Sequence, residues 1–282
     1  MRLAIFAKTF PLKKVNTLFE TIRKYGIKQV HYNMVCSGLS SLPHEIPKTI
    51  IEEIKAASKR NQVEIIGLSC TFNMAHPDKR ISAHGLRSLK VLAAACAGIG
   101  TNFLSLCTGT RNTENKWKGH PENKSLAAWT DLLKTMEKAV EIAEEHNIYL
   151  GVEPEMGNVV NSPQKALQLL EEIKSSRIKI ILDPANLFET AASKNWINIQ
   201  IEEAIGILQE NIMIVHAKDR TLTGVVTSPG KGAVDFNFLL QRLHQINFSG
   251  PLVMHGLSAQ EVGRSVSFLK PVIEEVYGST EK

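Results

Sequence analysis

Four apolar, strand-length segments of the sequence each end on a carboxylate or an imidazole. The final residues of these segments are Glu153, Asp183, His216 and His255. A polar or charged group is costly in the middle of a buried strand, because burial removes its hydration. At the end of a strand, the same group can face a shared pocket. Two carboxylates and two imidazoles suit one divalent cation, so the sequence predicts a metal site made by these four residues.

Other polar side chains near strand ends are candidates for substrate binding and catalysis. Lys218 follows His216 by two residues, and strand alternation places both side chains on one face. A lysine aimed into a pocket indicates recognition of an anion or a polarised oxygen. The residues predicted to line the substrate side of the site are His31, His76, Arg111, Glu155 and Asn186. A hydrogen-bonded loop turn is the alternative interpretation for His76.

The functions of two loop segments cannot be decided from their residues alone. Trp117 and His120 lie in a polar stretch that could cover the site. Gly230 and Gly232, in Gly-Lys-Gly-Ala-Val-Asp, could cradle a phosphate. A simple turn followed by a helix N-cap at Asp235 explains the same glycines equally well.

Strand-length apolar segments alternate with longer amphipathic segments along the whole chain, which predicts parallel strands joined by helices. The predicted strands span residues 3–7, 27–32, 63–70, 102–107, 148–153, 178–183, 212–218 and 252–255. The eight helices predicted after them include one that begins at the Ser162-Pro163 pair and one over residues 200–208. Eight such units predict a single (β/α)8 TIM barrel spanning residues 1–282.

A doubly wound open sheet is the alternative α/β architecture. It is disfavoured because Ala7-Lys8-Thr9-Phe10 follows the first strand, where that fold places a glycine-rich phosphate turn. In a barrel, the long loops after the strands all lie on the C-terminal face, where active sites are built.

Composition restricts the class of protein. With 43% hydrophobic residues and a net charge of +5 spread along the chain, the sequence is globular and lacks the basic block of a nucleic-acid-binding arm. The four cysteines are widely spaced without a CxxC motif, which favours free thiols. The beginning of the chain does not resemble a signal peptide, and no segment is long and apolar enough to span a bilayer. We therefore expect a cytoplasmic protein without nucleic-acid or membrane partners, and a homo-oligomer is compatible with exposed barrel helices.

The chain resembles the sugar phosphate isomerase/epimerase superfamily of xylose isomerase-like TIM barrels. The resemblance covers essentially the whole sequence and is carried by Gly-Val-Glu-Pro-Glu at 151–155, Leu-Asp-Pro-Ala-Asn at 182–186, His-Ala-Lys-Asp at 216–219 and Gly-Lys-Gly-x-x-Asp at 230–235. It implies that Glu153, Asp183 and His216 are three of four ligands to one divalent ion. The fourth position departs from the family pattern, because His255 stands where a second glutamate is usual.

The resemblance implies a metal-dependent isomerase or epimerase that acts on a small sugar, polyol or sugar phosphate through an enediolate. Glu153 would move the proton, while Lys218 or Arg111 would stabilise the developing charge. The mixed ligand set suits Mn²⁺ or Zn²⁺ better than Ca²⁺, and Mg²⁺ or Co²⁺ is also compatible. If His255 binds the metal it does not carry protons freely, so either Glu155 or His76 is the second base or the reaction needs only one.

Three other functions remain open at this stage. A sugar or inosose dehydratase needs only one base. An AP-endonuclease-like phosphodiesterase would bind several zinc ions, but Asn186 stands where a further histidine would be useful. A non-catalytic sugar-binding barrel that has lost its metal is compatible with the change at His255.

Overall fold

A computed structural model describes residues 1–278 as a closed barrel of eight parallel strands. Each barrel strand pairs with its neighbours, in the order β1, β2, β3, β4, β5, β6, β7, β10 and back to β1. A short antiparallel pair, β8 and β9, lies outside the barrel. The strands are β1 (Arg2–Phe6), β2 (Gln29–Tyr32), β3 (Glu64–Ser69), β4 (Phe103–Leu106), β5 (Tyr149–Val152), β6 (Ile178–Leu182), β7 (Ile212–Ala217), β8 (Asp219–Arg220), β9 (Val226–Thr227) and β10 (Pro251–Met254).

One of eight helices follows each barrel strand, which confirms the predicted (β/α)8 TIM barrel. They are α1 (Val15–Lys24), α2 (Lys48–Asn61), α3 (Lys79–Ile99), α4 (Leu126–Glu145), α5 (Pro163–Ile173), α6 (Lys194–Leu208), α7 (Phe236–Gln245) and α8 (Val262–Tyr277). The predicted start of α5 is confirmed, because the Ser162 side chain accepts a hydrogen bond from the Lys165 amide and Pro163 opens the helix.

The hydrophobic core has two parts. The larger part lies between strands and helices, and a smaller cluster contains Phe103 together with Ala4, Ile181, Ile214 and Val253. The Phe103 ring fills the space in which a Cβ at residue 151 would lie, only 2.0 Å from the ring, so glycine is required there. Phe6 packs against this smaller cluster and also lines the cavity described below, so the cluster supports the site.

Two details differ from the sequence-based expectation. Helix α6 begins six residues before the predicted residue 200, because the Ser193 side chain caps the amide of Trp196. The β8–β9 pair was not predicted, since strands of two residues carry no periodic signal. None of the helices in the described part of the chain combines the length and the apolar character that a bilayer span needs.

Candidate metal and substrate site

The predicted ligands lie at the C-terminal mouth of the barrel, on neighbouring strands. Glu153, Asp183 and His255 each follow directly after the last residue of β5, β6 and β10, and His216 is the fifth residue of β7. Parallel strands end at the same edge, so these four side chains reach one region although they are far apart in sequence. Asp183 and His216 are almost fully buried.

Three of the four predicted ligands converge. Glu153, Asp183 and His216 each offer a ligand atom, and these atoms all lie within 4.8 Å of one another. His216 Nδ1 lies 3.2 Å from Glu153 Oε1 and 3.7 Å from Asp183 Oδ2. Two carboxylate oxygens and an imidazole nitrogen at this spacing are a donor set that fits one borderline divalent cation.

His255 lies beside this group and is not part of it. Its ring stacks on His216 with the centroids 4.9 Å apart and the planes 3° from parallel. His255 Nδ1 is buried and has no hydrogen-bond partner among the described residues. Burial lowers the pKa of His255 to about 3, and the positive charges of His216, Lys218 and Lys8 act in the same direction. The ring is therefore neutral at pH 7.

Charge compensation in the cluster is local and strong. Burial opposes a charge on His216, yet Glu153 and Asp183 raise its pKa to about 9. Burial would raise the pKa of Asp183, but Lys218 and His216 outweigh this and hold it below its ordinary range. Lys218 Nζ lies 2.7 Å from Asp183 Oδ2 and 3.9 Å from Glu155 Oε1. In the absence of metal, protons and Lys218 therefore balance the buried carboxylates.

The cluster opens into a cavity of about 340 Å³, a size that suits a small polar molecule. Glu155 lies on the cavity wall, and burial followed by the charge of Glu153 raises its pKa to about 7. His31, predicted to bind substrate, also lies on the wall, and burial lowers its pKa to about 3. The full wall comprises Phe6, Lys8, His31, Asn33, Ser41, Ser69, Thr71, Ser105, Lys116, Trp117, Glu153, Glu155, His216 and His255.

Asn186 and Lys218 contact the wall residues from behind. Asn186 Nδ2 donates to Glu153 Oε1 over 3.0 Å, and Lys218 Nζ donates to Asn186 Oδ1 over 2.7 Å. These bonds run from the short helical turn after β6 and from the end of β7 to Glu153 at the end of β5. The two residues therefore fix the orientation of Glu153, and neither is among the residues that line the cavity.

His76 and Arg111, both predicted to bind substrate, do not line the cavity. His76 Nδ1 accepts a hydrogen bond from the Asp78 amide, which is the turn that the alternative interpretation described. Arg111 Nη1 lies 2.8 Å from Asp131 on α4 and donates to the carbonyl of Ala75 over 3.1 Å. Both side chains hold loops together, so we assign neither to the site.

The glycine-rich turn at 230–232 is filled by a side chain of the protein itself. The Asp219 carboxylate accepts hydrogen bonds from the backbone amides of Arg220, Gly230, Gly232 and Val234, at 2.8 to 3.0 Å. A Cβ at residue 232 would lie 2.1 Å from Asp219 Oδ1. Since these amides already bind a carboxylate, the turn interpretation holds and the phosphate interpretation does not.

Sequence reasoning missed several residues of the cavity wall. Lys8 and Lys116 are the lysines among the described residues that line it, and Phe6, Ser69 and Ser105 line it as well. Lys8 and Thr71 each follow a barrel strand by two residues, so their positions near strand ends could have identified them. Lys116 lies ten residues beyond β4 in a long loop, and no sequence pattern predicted its direction.

A family model of xylose isomerase-like TIM barrels matches residues 19–272, which is most of the chain. The chain belongs to the xylose isomerase-like TIM barrel family. This confirms the resemblance drawn from the motifs around Glu153, Asp183 and His216. Among curated proteins, an uncharacterized protein of Methanocaldococcus jannaschii is 25% identical over 146 residues, or 50% of this chain. The chain spans about half of that relative's length, 48%.

Solved structures of other xylose isomerase-like TIM barrels superpose over nearly the whole chain. A 3-keto-D-glucoside 4-epimerase from E. coli has a TM-score of 0.76 at 17% identity, covering 96% of this chain and 99% of its own. The probable 3-DHS dehydratase AsbF from Bacillus anthracis has a TM-score of 0.73 at 14% identity, covering 95% and 98%. The IOLI protein with a bound zinc atom has a TM-score of 0.74 at 15% identity, covering 99% and 100%.

At these identities the structural likeness shows the fold alone. The solved neighbours of this xylose isomerase-like TIM barrel nevertheless include sugar epimerases and a dehydratase, and one of them carries zinc. In this chain, Glu153, Asp183 and His216 form a cluster that could hold a metal ion.

Proposed function

We propose that this protein is a metal-dependent isomerase or epimerase of a small sugar, polyol or sugar phosphate that works through an enediolate. The observation that carries the proposal is the convergence of Glu153, Asp183 and His216 within 4.8 Å beside a polar cavity of about 340 Å³. A structural ion site would be closed by protein ligands, whereas a site beside a cavity leaves room for substrate.

Glu153, Asp183 and His216 hold the ion in this proposal, with His255 as the fourth ligand. The unpartnered Nδ1 of His255 and its position against His216 support that role. A bound divalent ion would polarise the substrate carbonyl and stabilise negative charge on its oxygen. Mn²⁺ or Zn²⁺ suits the nitrogen and oxygen donors, and zinc in one structural neighbour is consistent with this choice.

Protons at the substrate carbon are moved by carboxylates of the β5 end. Glu153 is held by Asn186 and reaches the cavity wall, where it can take a proton from a bound substrate. Glu155 has a pKa of about 7, because burial and Glu153 both disfavour its charge, so it can accept or donate a proton near neutral pH. Lys218 contacts Asp183 and Asn186, and Asn186 in turn binds Glu153. Lys218 therefore acts by keeping the Glu153 carboxylate in place.

A one-base reaction is the second candidate. Glu153 and Glu155 are the two carboxylates on the cavity wall, and both come from the end of β5. An epimerase needs a proton carrier on each face of the carbon, whereas an aldose–ketose isomerisation or a dehydration needs one face only. The one-sided placement favours the isomerase or the sugar and inosose dehydratase, and the fold is shared with a probable dehydratase.

The experiment that tests the proposal measures bound metal and proton exchange together. Purified protein is loaded with Mn²⁺ or Zn²⁺ and supplied with aldoses, ketoses, inososes and their phosphates in D₂O. We expect about one ion per chain and deuterium at the carbon next to the carbonyl of the substrate that turns over. In Glu153→Gln and Asp183→Asn, metal affinity should fall by more than about 100-fold. Glu141→Gln, an exposed glutamate on α4, is the matched control and should keep both properties.

Each failure has a distinct meaning. Unchanged metal content in both variants would contradict the assigned site. Two or more ions per chain together with phosphodiester cleavage would replace the isomerase by the endonuclease-like alternative. Tight sugar binding without metal and without deuterium entry would identify a non-catalytic barrel.

A further inference from the structure

Two lysines share the cavity wall with the proposed metal ligands. Lys8 lies in the turn after β1, and Lys116 lies in the long loop after β4. The Lys116 side chain is half-buried, and its Nζ donates to the carbonyl of Thr71 over 2.5 Å, with Thr71 Oγ1 at 3.4 Å. Among residues 1–278, no carboxylate lies within ion-pair distance of either ammonium group.

The carboxylates of the site already have their own cations. Asp183 pairs with Lys218 and His216, Glu153 contacts His216, and Glu155 faces Lys218. A bound divalent ion would add further positive charge to this group. The charges of Lys8 and Lys116 are therefore not balanced by the carboxylates of the protein. Lys116 is half-buried, where an ammonium without an anion is unfavourable, whereas Lys8 is exposed.

Two other places that the sequence offered for an anion are filled. The glycine-rich turn at 230–232 is occupied by Asp219, and Arg111 is paired with Asp131. Lys8 and Lys116 are thus, among the described residues that line the cavity, the two lysines without a carboxylate partner. Ser41, after β2, and Thr71, after β3, also line the wall and add hydroxyl groups.

We propose that Lys8 and Lys116 bind an anionic group, a carboxylate or a phosphate, of a substrate held in this cavity. The inference rests on the proposed function and narrows its substrate class to sugar acids or sugar phosphates. The lysines follow β1 and β4, whereas the carboxylates follow β5 and β6, so the two groups are supplied by different strands around one barrel mouth. One substrate that spans the cavity can contact both, which fixes its direction in the site.

Binding in the absence of metal tests this inference without relying on turnover. Protein treated with a chelator is titrated calorimetrically with D-ribulose 5-phosphate, D-ribonate, D-ribulose and inorganic phosphate. We expect the anionic probes to bind and D-ribulose to bind more weakly. Lys116→Gln and Lys8→Gln should each weaken binding of the preferred anionic probe by about tenfold, as expected for loss of one charged hydrogen bond.

Two further variants distinguish the loss of a binding lysine from a general disturbance of its loop. Lys116→Arg keeps the charge and should retain most of the binding that Lys116→Gln loses. Lys118→Gln removes an exposed lysine of the same loop that does not line the cavity, and it should bind like the wild type. D-ribulose 5-phosphate carries a phosphate and D-ribonate carries a carboxylate. The probe that binds more tightly therefore identifies which of these two groups the lysines recognise.

The inference fails if none of the anionic probes binds, if D-ribulose binds as well as they do, or if Lys118→Gln weakens binding as much as Lys116→Gln. These outcomes are independent of the metal experiment. Lysine-dependent anion binding in a protein that never binds metal would leave the subsite and remove the proposed isomerase. Metal-dependent deuterium exchange with neutral sugars that the lysine variants leave unchanged would support the proposed isomerase and reject the anion subsite.

Discussion

The two halves of the barrel mouth are built from different interactions. In the acidic half, at the ends of β5, β6 and β7, buried charges contact one another: Lys218 lies 2.7 Å from Asp183, and His216 lies 3.2 Å from Glu153. In the basic half, formed by the loops after β1 to β4, Lys8 and Lys116 have no carboxylate partner among the residues that the structure describes. The loops there are held by uncharged amides such as Asn158 and Asn73, together with the ion pair between Arg111 and Asp131.

Because of this difference, we expect substitutions in the two halves to have different effects. Charges that compensate one another in a buried cluster are coupled, so removing one leaves the others exposed to their full burial cost. Amide hydrogen bonds contribute smaller, more local amounts. We therefore expect changes in the acidic half to affect folding stability and metal binding together. Substitution of Lys8 or Lys116 should affect ligand binding alone.

The largest expected effect comes from removing Lys218. Lys218→Met leaves Asp183 and Glu155 without their common cation, so the metal-free protein should lose about 3 to 5 kcal/mol of unfolding free energy. Urea unfolding at pH 7 in the presence of a chelator measures this loss. The matched control is Lys231→Gln, which breaks a 2.9 Å ion pair with Glu261 near the surface and should cost less than about 1 kcal/mol. Equal losses in the two variants would contradict the idea that the acidic half is specially coupled.

The second effect is a pH dependence of the metal-free protein. The pKa of His216 is raised from 6.5 to about 9 in the folded state, mainly by Glu153 and Asp183 acting against burial. A raised pKa stabilises the fold fully below pH 6.5, and this stabilisation is lost as pH rises through about 9. Wild-type protein should therefore lose at most roughly 3 kcal/mol across this window.

Urea midpoints measured across that pH range, with chelator present, report this loss. His216→Gln removes the titrating ring, so its stability should change much less over the same range. Identical pH profiles for the two proteins would show that His216 is not the group that carries the excess proton. Because metal binding must displace this proton, zinc affinity should also rise with pH up to about 9.

The fold and the acidic half could be predicted from the sequence for one shared reason. Apolar segments of strand length mark the barrel strands, and a residue that directly follows such a segment must lie at the mouth. Glu153 and Asp183 are placed in this way, and His216 lies one residue before the end of its strand. These positions are fixed by regular secondary structure, so counting along the chain is sufficient.

The basic half could not be predicted in the same way, because loop conformations depend on distant partners. Arg111 was expected in the substrate site, yet it pairs with Asp131, twenty residues further along the chain on α4. Lys116 was not considered, yet it lines the cavity, and the Asn158 side chain donates to its backbone carbonyl. No periodic sequence pattern predicts the contact between Arg111 and Asp131 or that between Asn158 and Lys116. His255 as a fourth ligand stays a prediction, since its ring stacks on His216 outside the 4.8 Å group.

The smallest of these effects concerns the amide that joins the two halves. Asn158 is fully buried, its Oδ1 accepts from the Gly109 amide over 2.8 Å, and its Nδ2 donates to the Lys116 carbonyl over 3.1 Å. Asn158→Ala should cost about 1 to 3 kcal/mol of unfolding free energy, because the Gly109 amide and the Lys116 carbonyl lose their partner. It should also weaken binding of D-ribulose 5-phosphate while zinc affinity stays unchanged, since the side chain contacts none of the proposed ligands. Asn237→Ala removes an exposed amide with one long bond of 3.4 Å and is the control. A parallel loss of zinc and anion affinity in Asn158→Ala would mean that the two halves are one coupled unit, and the contrast between them would be wrong.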